Sequence, residues 1–265
     1  MTPALIIFMA WVIFGGSHLW LSASNLRERM PANSGPNAFT VLFSAITCIT
    51  MLCLIGATVL YGDKGIAGPN LGQYFWGRWA LGGLGATGCL LAIAGLLNYP
   101  KSPMAVLATR QRQNYQNHKA LQPPSSVERV SRHPFFAGLA ALMLAHTLLA
   151  TTLAGAVYFG GFVLIAVIGI PLQDRKLERR WRETYSEFLD RTRAIPFKRA
   201  TVPTVTPMQW GIWILAVIIT TTVFGLMHPF WSGWNGAPFA IFILIFGLSG
   251  VASAIFLSIK KNNKL

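Results

Sequence analysis

Three of the five histidines in this 265-residue chain stand where an imidazole is an unusual choice. His18 lies in "GGSHLWLSA", and "RHPFFAGLAALMLAHTL" carries both His133 and His146. A neutral imidazole among apolar residues can hydrogen-bond a neighbouring helix or ligate a metal. One such histidine alone favours the hydrogen bond. Two on different helices raise the ligand reading, because His18 and His146 could hold opposite faces of a haem iron while apolar helices solvate the macrocycle. Gly15, Gly16 and Ser17 would let a second helix or a flat ligand approach the backbone closely. Arg27, Arg29 and Arg132 could pair with haem propionates, although arginine at the end of an apolar run serves equally as a topology anchor. Both readings stay open on spacing alone.

These histidines must be positioned by membrane helices. Hydrophobic residues make up 53% of the chain and charged residues 11%, against about a quarter charged in soluble domains. The charges gather between seven apolar runs, each near the roughly 20 residues that a spanning helix needs. The runs are Pro3–Ser22, Phe39–Tyr61, Trp79–Leu97, Pro134–Leu153, Val157–Leu172, Gly211–Met227 and Ala237–Ile259. The expected fold is all-α, a polytopic bundle of about seven transmembrane helices. His133 falls at the mouth of the fourth run, with Pro134 suited to the first helical position, and His146 lies about 18 Å further along at 1.5 Å per residue. His18 sits near the inner end of its run and His146 nearer mid-membrane, so a porphyrin shared by them would have to tilt. His118 falls in a polar loop, and His228 ends the sixth run.

Every Lys and Arg except Lys64 and Arg78 falls on one side of a seven-span model. Basic loops stay in the cytoplasm, so the N-terminus is expected outside, the C-terminus inside and the chain in a bacterial inner membrane. The first run lacks the basic flank of a cleavable signal. The net charge of +14 then points to lipid head groups and away from nucleic acid, since no soluble basic domain is present. Cys48, Cys53 and Cys89 fall inside apolar runs without metal or disulfide spacing, and are expected as buried thiols.

Two inner loops are long. Residues 98–133 break at "NYPKSP" and again at "QPPSSVE", around a polar, helix-compatible middle. "QDRKLERRWRETYSEFLDRTRAIPF" places Leu177, Trp181, Tyr185 and Phe188 or Leu189 on one helical face, which predicts that the fifth helix runs several turns beyond the bilayer and is closed by Pro196. Its Glu178–Arg182 pair and the arginines near Glu183 and Glu187 read as a solvated face. No repeat or linker is visible. Residues 1–200 form the main membrane domain, and residues 201–265 add a pair of helices to the same bundle.

The blocks "GGSHLWLSA", "RHPFFAGLAALMLAHTL" and "DRKLERRWRETYSEFLDRTRAIPF", in that order, resemble the NnrU family, which includes the 15-cis-zeta-carotene isomerases; "MHPF" at Met227 adds an echo. The resemblance implies an integral membrane haem b protein with His18 and His146 as axial ligands. In the isomerases, reduced haem iron assists rotation about a cis double bond of a long polyene. Met143 stands where plant isomerases have a cysteine proposed as an alternate ligand. That substitution argues against a thiolate switch; a thioether can also bind haem iron, which keeps Met143 among the cofactor-binding candidates, although it reads better as packing. The implied substrate is a hydrophobic small molecule entering from lipid. "RHPFFAG" with the charged helix is also similar to isoprenylcysteine and phospholipid methyltransferases. That similarity implies S-adenosylmethionine bound by Arg132, His133, Gly138, Glu178 and Glu183. A third alternative is a non-catalytic membrane subunit linked to nitrogen-oxide metabolism.

Overall fold

The computed structural model describes residues 2–24, 26, 38–99, 124–181, 183–196, 211–212 and 214–223. Among them the chain is helical, with no strand beyond one isolated bridge between Ala67 and Thr152. The first three apolar runs form α1 (Pro3–Ala23), α2 (Ala38–Tyr61) and α3 (Phe75–Asn98). A five-residue α4 (Ser126–Val130) precedes α5 (Pro134–Leu149), α6 (Leu153–Trp181) and α7 (Glu183–Arg191). A final apolar helix, α8, covers Ile214–Val223.

Four of these helices, α1, α2, α3 and α6, are long and apolar enough to cross a membrane, so the chain is an integral membrane protein. The fourth expected span is a helix of 16 residues, shorter than a full crossing needs. The fifth extends well past Leu172, as the amphipathic spacing beyond it predicts. The seventh run, Arg27, Arg29, His118 and His228 lie outside the described residues.

The described residues fall into two compact units. In the first, α1 and α2 pack together, joined by the opening turns of α6. Ile7, Trp11, Phe14 and Leu21 of α1 are buried, whereas Leu5, Phe8, Val12 and Ile13 on its other faces are exposed. A helix that is apolar all round suits lipid on its outer side. Several polar groups of α1 and α2 are satisfied by nearby carbonyls, because a bare donor in hydrocarbon is costly. The Trp11 indole donates to the Tyr158 carbonyl at 3.0 Å, and Thr58 returns its hydroxyl to the Leu54 carbonyl one turn back at 2.9 Å. The loop after α2 is tied to the start of α6 by Thr152, whose hydroxyl donates to the Gly62 carbonyl at 2.6 Å. Gly65 turns there with φ +97°, a conformation that suits glycine. The cysteines differ from expectation: Cys53 is exposed and Cys48 and Cys89 are half-buried, all three free. A thiol is apolar enough to face acyl chains, so burial was not required.

The second unit is built on α3 against α5. The crossing uses small residues, as membrane helix pairs do when lipid removes the hydrophobic incentive to associate. A Cβ on Gly88 would fall 2.5 Å from the Leu142 nitrogen and 2.6 Å from the Gly138 carbonyl oxygen, and a Cβ on Gly138 would strike the backbone of Ala92 and Gly88. Both backbones are therefore in direct contact. By contrast, a Cβ on Gly83, also in α3, meets nothing within 4 Å. Gly88→Ala is expected to cost about 1–3 kcal/mol by forcing the helices apart. Gly83→Ala should leave stability equal or higher, since alanine is the better helix former; thermal unfolding of both variants in one detergent checks the pair.

Candidate functional site at the Arg-His-Pro turn

The turn before α5 is fixed from both sides. Upstream, Ser125 caps α4 in a reciprocal box with Glu128, whose carboxylate accepts the Ser125 backbone N–H at 3.0 Å. Downstream of α7, the chain returns alongside the turn: Arg132 N–H donates to the Arg193 carbonyl at 2.8 Å, and the Ser131 hydroxyl donates to the Ala194 carbonyl at 2.7 Å. His133 then enters α5 ahead of Pro134, whose missing N–H costs nothing at that position.

This arrangement delivers three side chains to one carboxylate on α6. Asp174 Oδ2 accepts from Arg132 NH2 at 2.7 Å and from Arg132 Nε at 3.0 Å. Its Oδ1 accepts from His133 Nε2 at 2.6 Å and from the Tyr185 hydroxyl of α7 at 2.7 Å. Buried ions are stable only where attraction and hydrogen bonds together offset desolvation, and this carboxylate meets that condition with a guanidinium fork plus two further donors. Leu177, Tyr185 and Phe188 close an apolar cluster beside it, with Leu189 at the margin. The predicted amphipathic face of α6 and α7 is thus a packed face. Burial, reinforced by the Asp174 carboxylate, holds the Tyr185 phenol above its ordinary value.

Asp174 is the member that sequence reasoning missed. It stands three residues before Leu177 and eleven before Tyr185, an acid on an otherwise apolar stripe, and that mismatch is the signal of an internal partner. Of the other candidate residues, Glu178 is exposed, Gly138 is committed to the helix crossing, and the Glu183 side chain lies outside the described residues. Glu187 pairs with Arg191 at 2.9 Å on the surface, where such a pair contributes little.

The remaining ligand candidates belong to separate units. In the first, the His18 ring lies 5.6 Å from that of Phe14 and 5.2 Å from that of Phe43, and Gly16 opens onto empty space. In the second, His146 Nδ1 lies 2.9 Å from the Leu142 carbonyl oxygen, with the Phe159 ring 5.0 Å from its own. A carbonyl can only accept, so Nδ1 carries a proton, and in a neutral ring Nε2 then has the lone pair. Met143 is 2% exposed and packs inside its unit. Among the described residues no group of three or more His, Cys, Asp or Glu could hold a metal ion; a haem iron needs only axial nitrogens.

Removing the Asp174 charge by Asp174→Ala strands a half-buried guanidinium and the buried His133 ring, and is expected to cost about 3–5 kcal/mol. Tyr185→Phe, losing one bond to a charged group, should cost about 1.5–3 kcal/mol. The raised Tyr185 value adds a sign to the second variant. A phenol that keeps its proton more tightly when folded contributes stability below its ordinary value of 10.0 and loses it as pH rises further. Denaturation series on either side of pH 10 should show an alkaline decline in the parent that Tyr185→Phe lessens.

The family model described as NnrU protein matches residues 6–235, which include both histidine-bearing blocks and the Asp174 cluster. No curated protein and no solved structure gives a match. On the extent of that match, the chain belongs to the NnrU family.

Proposed function

We propose that this membrane protein binds haem b through His146 and His18, and that it acts as a cis–trans isomerase of a long apolar polyene. The observation that carries the reading is the His146 tautomer. A histidine that ligates a metal through one nitrogen almost always donates its other N–H to an acceptor that fixes the ring, and the Leu142 carbonyl does so here. The apolar setting of α5 and the open face at Gly16 suit a flat, hydrophobic macrocycle. When bound, haem supplies an iron able to exchange electron density with a conjugated double bond, which eases rotation without net oxidation.

The chain's part is to bind, orient and keep dry. Aromatic rings beside each histidine restrict how the imidazoles turn, and the exposed apolar faces of α1 and α2 give a polyene a route from lipid. Arg132 and His133 act beside the ligand set by anchoring the entry to α5 through Asp174. The methyltransferase reading takes second place because it needs Arg132 and Gly138 for a cofactor, and Arg132 is already bound to Asp174 while Gly138 is taken up by the helix crossing.

Purification in mild detergent should yield a coloured protein whose Soret band is lost in His146→Ala and in His18→Ala and kept in Met143→Leu, since Met143 packs. A colourless parent that binds S-adenosylmethionine would instead establish the second reading. With haem present, expression in cells that accumulate a cis polyene tests the reaction by the appearance of the trans isomer; haem without conversion identifies a non-catalytic subunit.

A further inference from the structure

The His133 side chain is 1% exposed, yet among the described residues only one of its ring nitrogens has a hydrogen-bond partner. Nε2 lies 2.6 Å from Asp174 Oδ1, whereas Nδ1 is buried with no hydrogen-bond partner. The other neighbours of the carboxylate, Arg132 and Tyr185, are donors to it. The carboxylate has no proton to offer, so Nε2 is the donor, and in a neutral ring the lone pair then lies on Nδ1. One guanidinium already balances one carboxylate, and a neutral ring closes the cluster without surplus buried charge. A carboxylate on the far nitrogen also strengthens the near one as an acceptor. An unmatched acceptor in an enclosed site is expensive to leave bare, and in native proteins it usually marks a water or a ligand.

We propose that His133 Nδ1 is an acceptor site for an O–H donor, either an enclosed water or the hydroxyl of a lipid-soluble ligand, and that Asp174 is the positioning residue which aims it. The site involves neither His18 nor His146, so it stands or falls separately from the haem reading. A metal ion is a poorer match, because no cluster of three ligating side chains accompanies this ring among the described residues. The backbone at this position is already engaged, with the His133 N–H donating to the Ser131 hydroxyl at 3.3 Å, which leaves the ring nitrogen as the one unmet group of the residue.

The test uses the full chain in detergent with nitrogen-15 histidine, the His133 signals being those that vanish in His133→Gln. The expected spectrum shows Nε2 protonated and Nδ1 unprotonated but shifted by a hydrogen bond. Asp174→Asn should move the proton to Nδ1, because an amide can present its own N–H to the ring. Tyr185→Phe, a milder change that keeps the Asp174 contact, should leave the tautomer as it is. If the Nδ1 shift survives exhaustive delipidation and exchanges magnetisation with solvent, the donor is water. If it disappears on delipidation and returns with phosphatidylglycerol, which carries hydroxyls, but not with phosphatidylcholine, which has none, the donor is a lipidic hydroxyl. A proton on Nδ1 in the parent protein, or an Nδ1 without a hydrogen bond in every sample, overturns the proposal, and an unchanged tautomer in Asp174→Asn overturns the part given to Asp174.

Discussion

One buried carboxylate organises the described part of the second unit. Asp174 is tolerable in its setting only because Arg132, His133 and Tyr185 satisfy it together. The carboxylate and its partners come from three places in the sequence: Asp174 from the late turns of α6, Arg132 and His133 from the turn before α5, and Tyr185 from the amphipathic α7. The entry angle of α5, the placement of α7 and the orientation of the His133 ring are therefore not independent. Remove the charge and each of the three partners needs a new reason to be where it is.

The α3–α5 crossing contributes a different constraint. There the helices meet backbone to backbone at Gly88 and Gly138, and close contact replaces hydrophobic driving force. Polar anchoring at one end of α5 and steric intimacy along its length together fix how that helix presents His146. The ring's own contact with the Leu142 carbonyl then holds its Nδ1 against the helix backbone. The close contact between the two helices is what the small residues of α3 permit.

Much of this was legible in the sequence. Run lengths gave α1, α2, α3 and the long α6, because a membrane span is a one-dimensional signal. The stripe through Leu177, Tyr185 and Phe188 gave the packed face of the charged segment. The shortness of α5 was not legible: "TLLATTL" stays apolar past Leu149, and the helix ends where the backbone turns to meet the segment after α2, with Asn70 N–H donating to the Ala150 carbonyl at 3.0 Å. The role of Asp174 was hidden for a similar reason. Among the nine basic and five acidic residues of 173–199, Asp174 looks like part of a solvated surface, and only its phase on the helix marks it as internal. The Ser125–Glu128 cap was visible as a Ser-x-x-Glu pattern but lay in a stretch dominated by its prolines.

The length of α5 also bears on the surrounding lipid. Sixteen residues rise about 24 Å, whereas the hydrocarbon layer of an ordinary bilayer is about 30 Å thick. Wherever this helix meets acyl chains, they must shorten or the head groups must dip toward it. A local thinning of that kind would bring phosphate and water down to the level of Arg132, and would make the protein sensitive to the chain length of the lipid in which it is reconstituted.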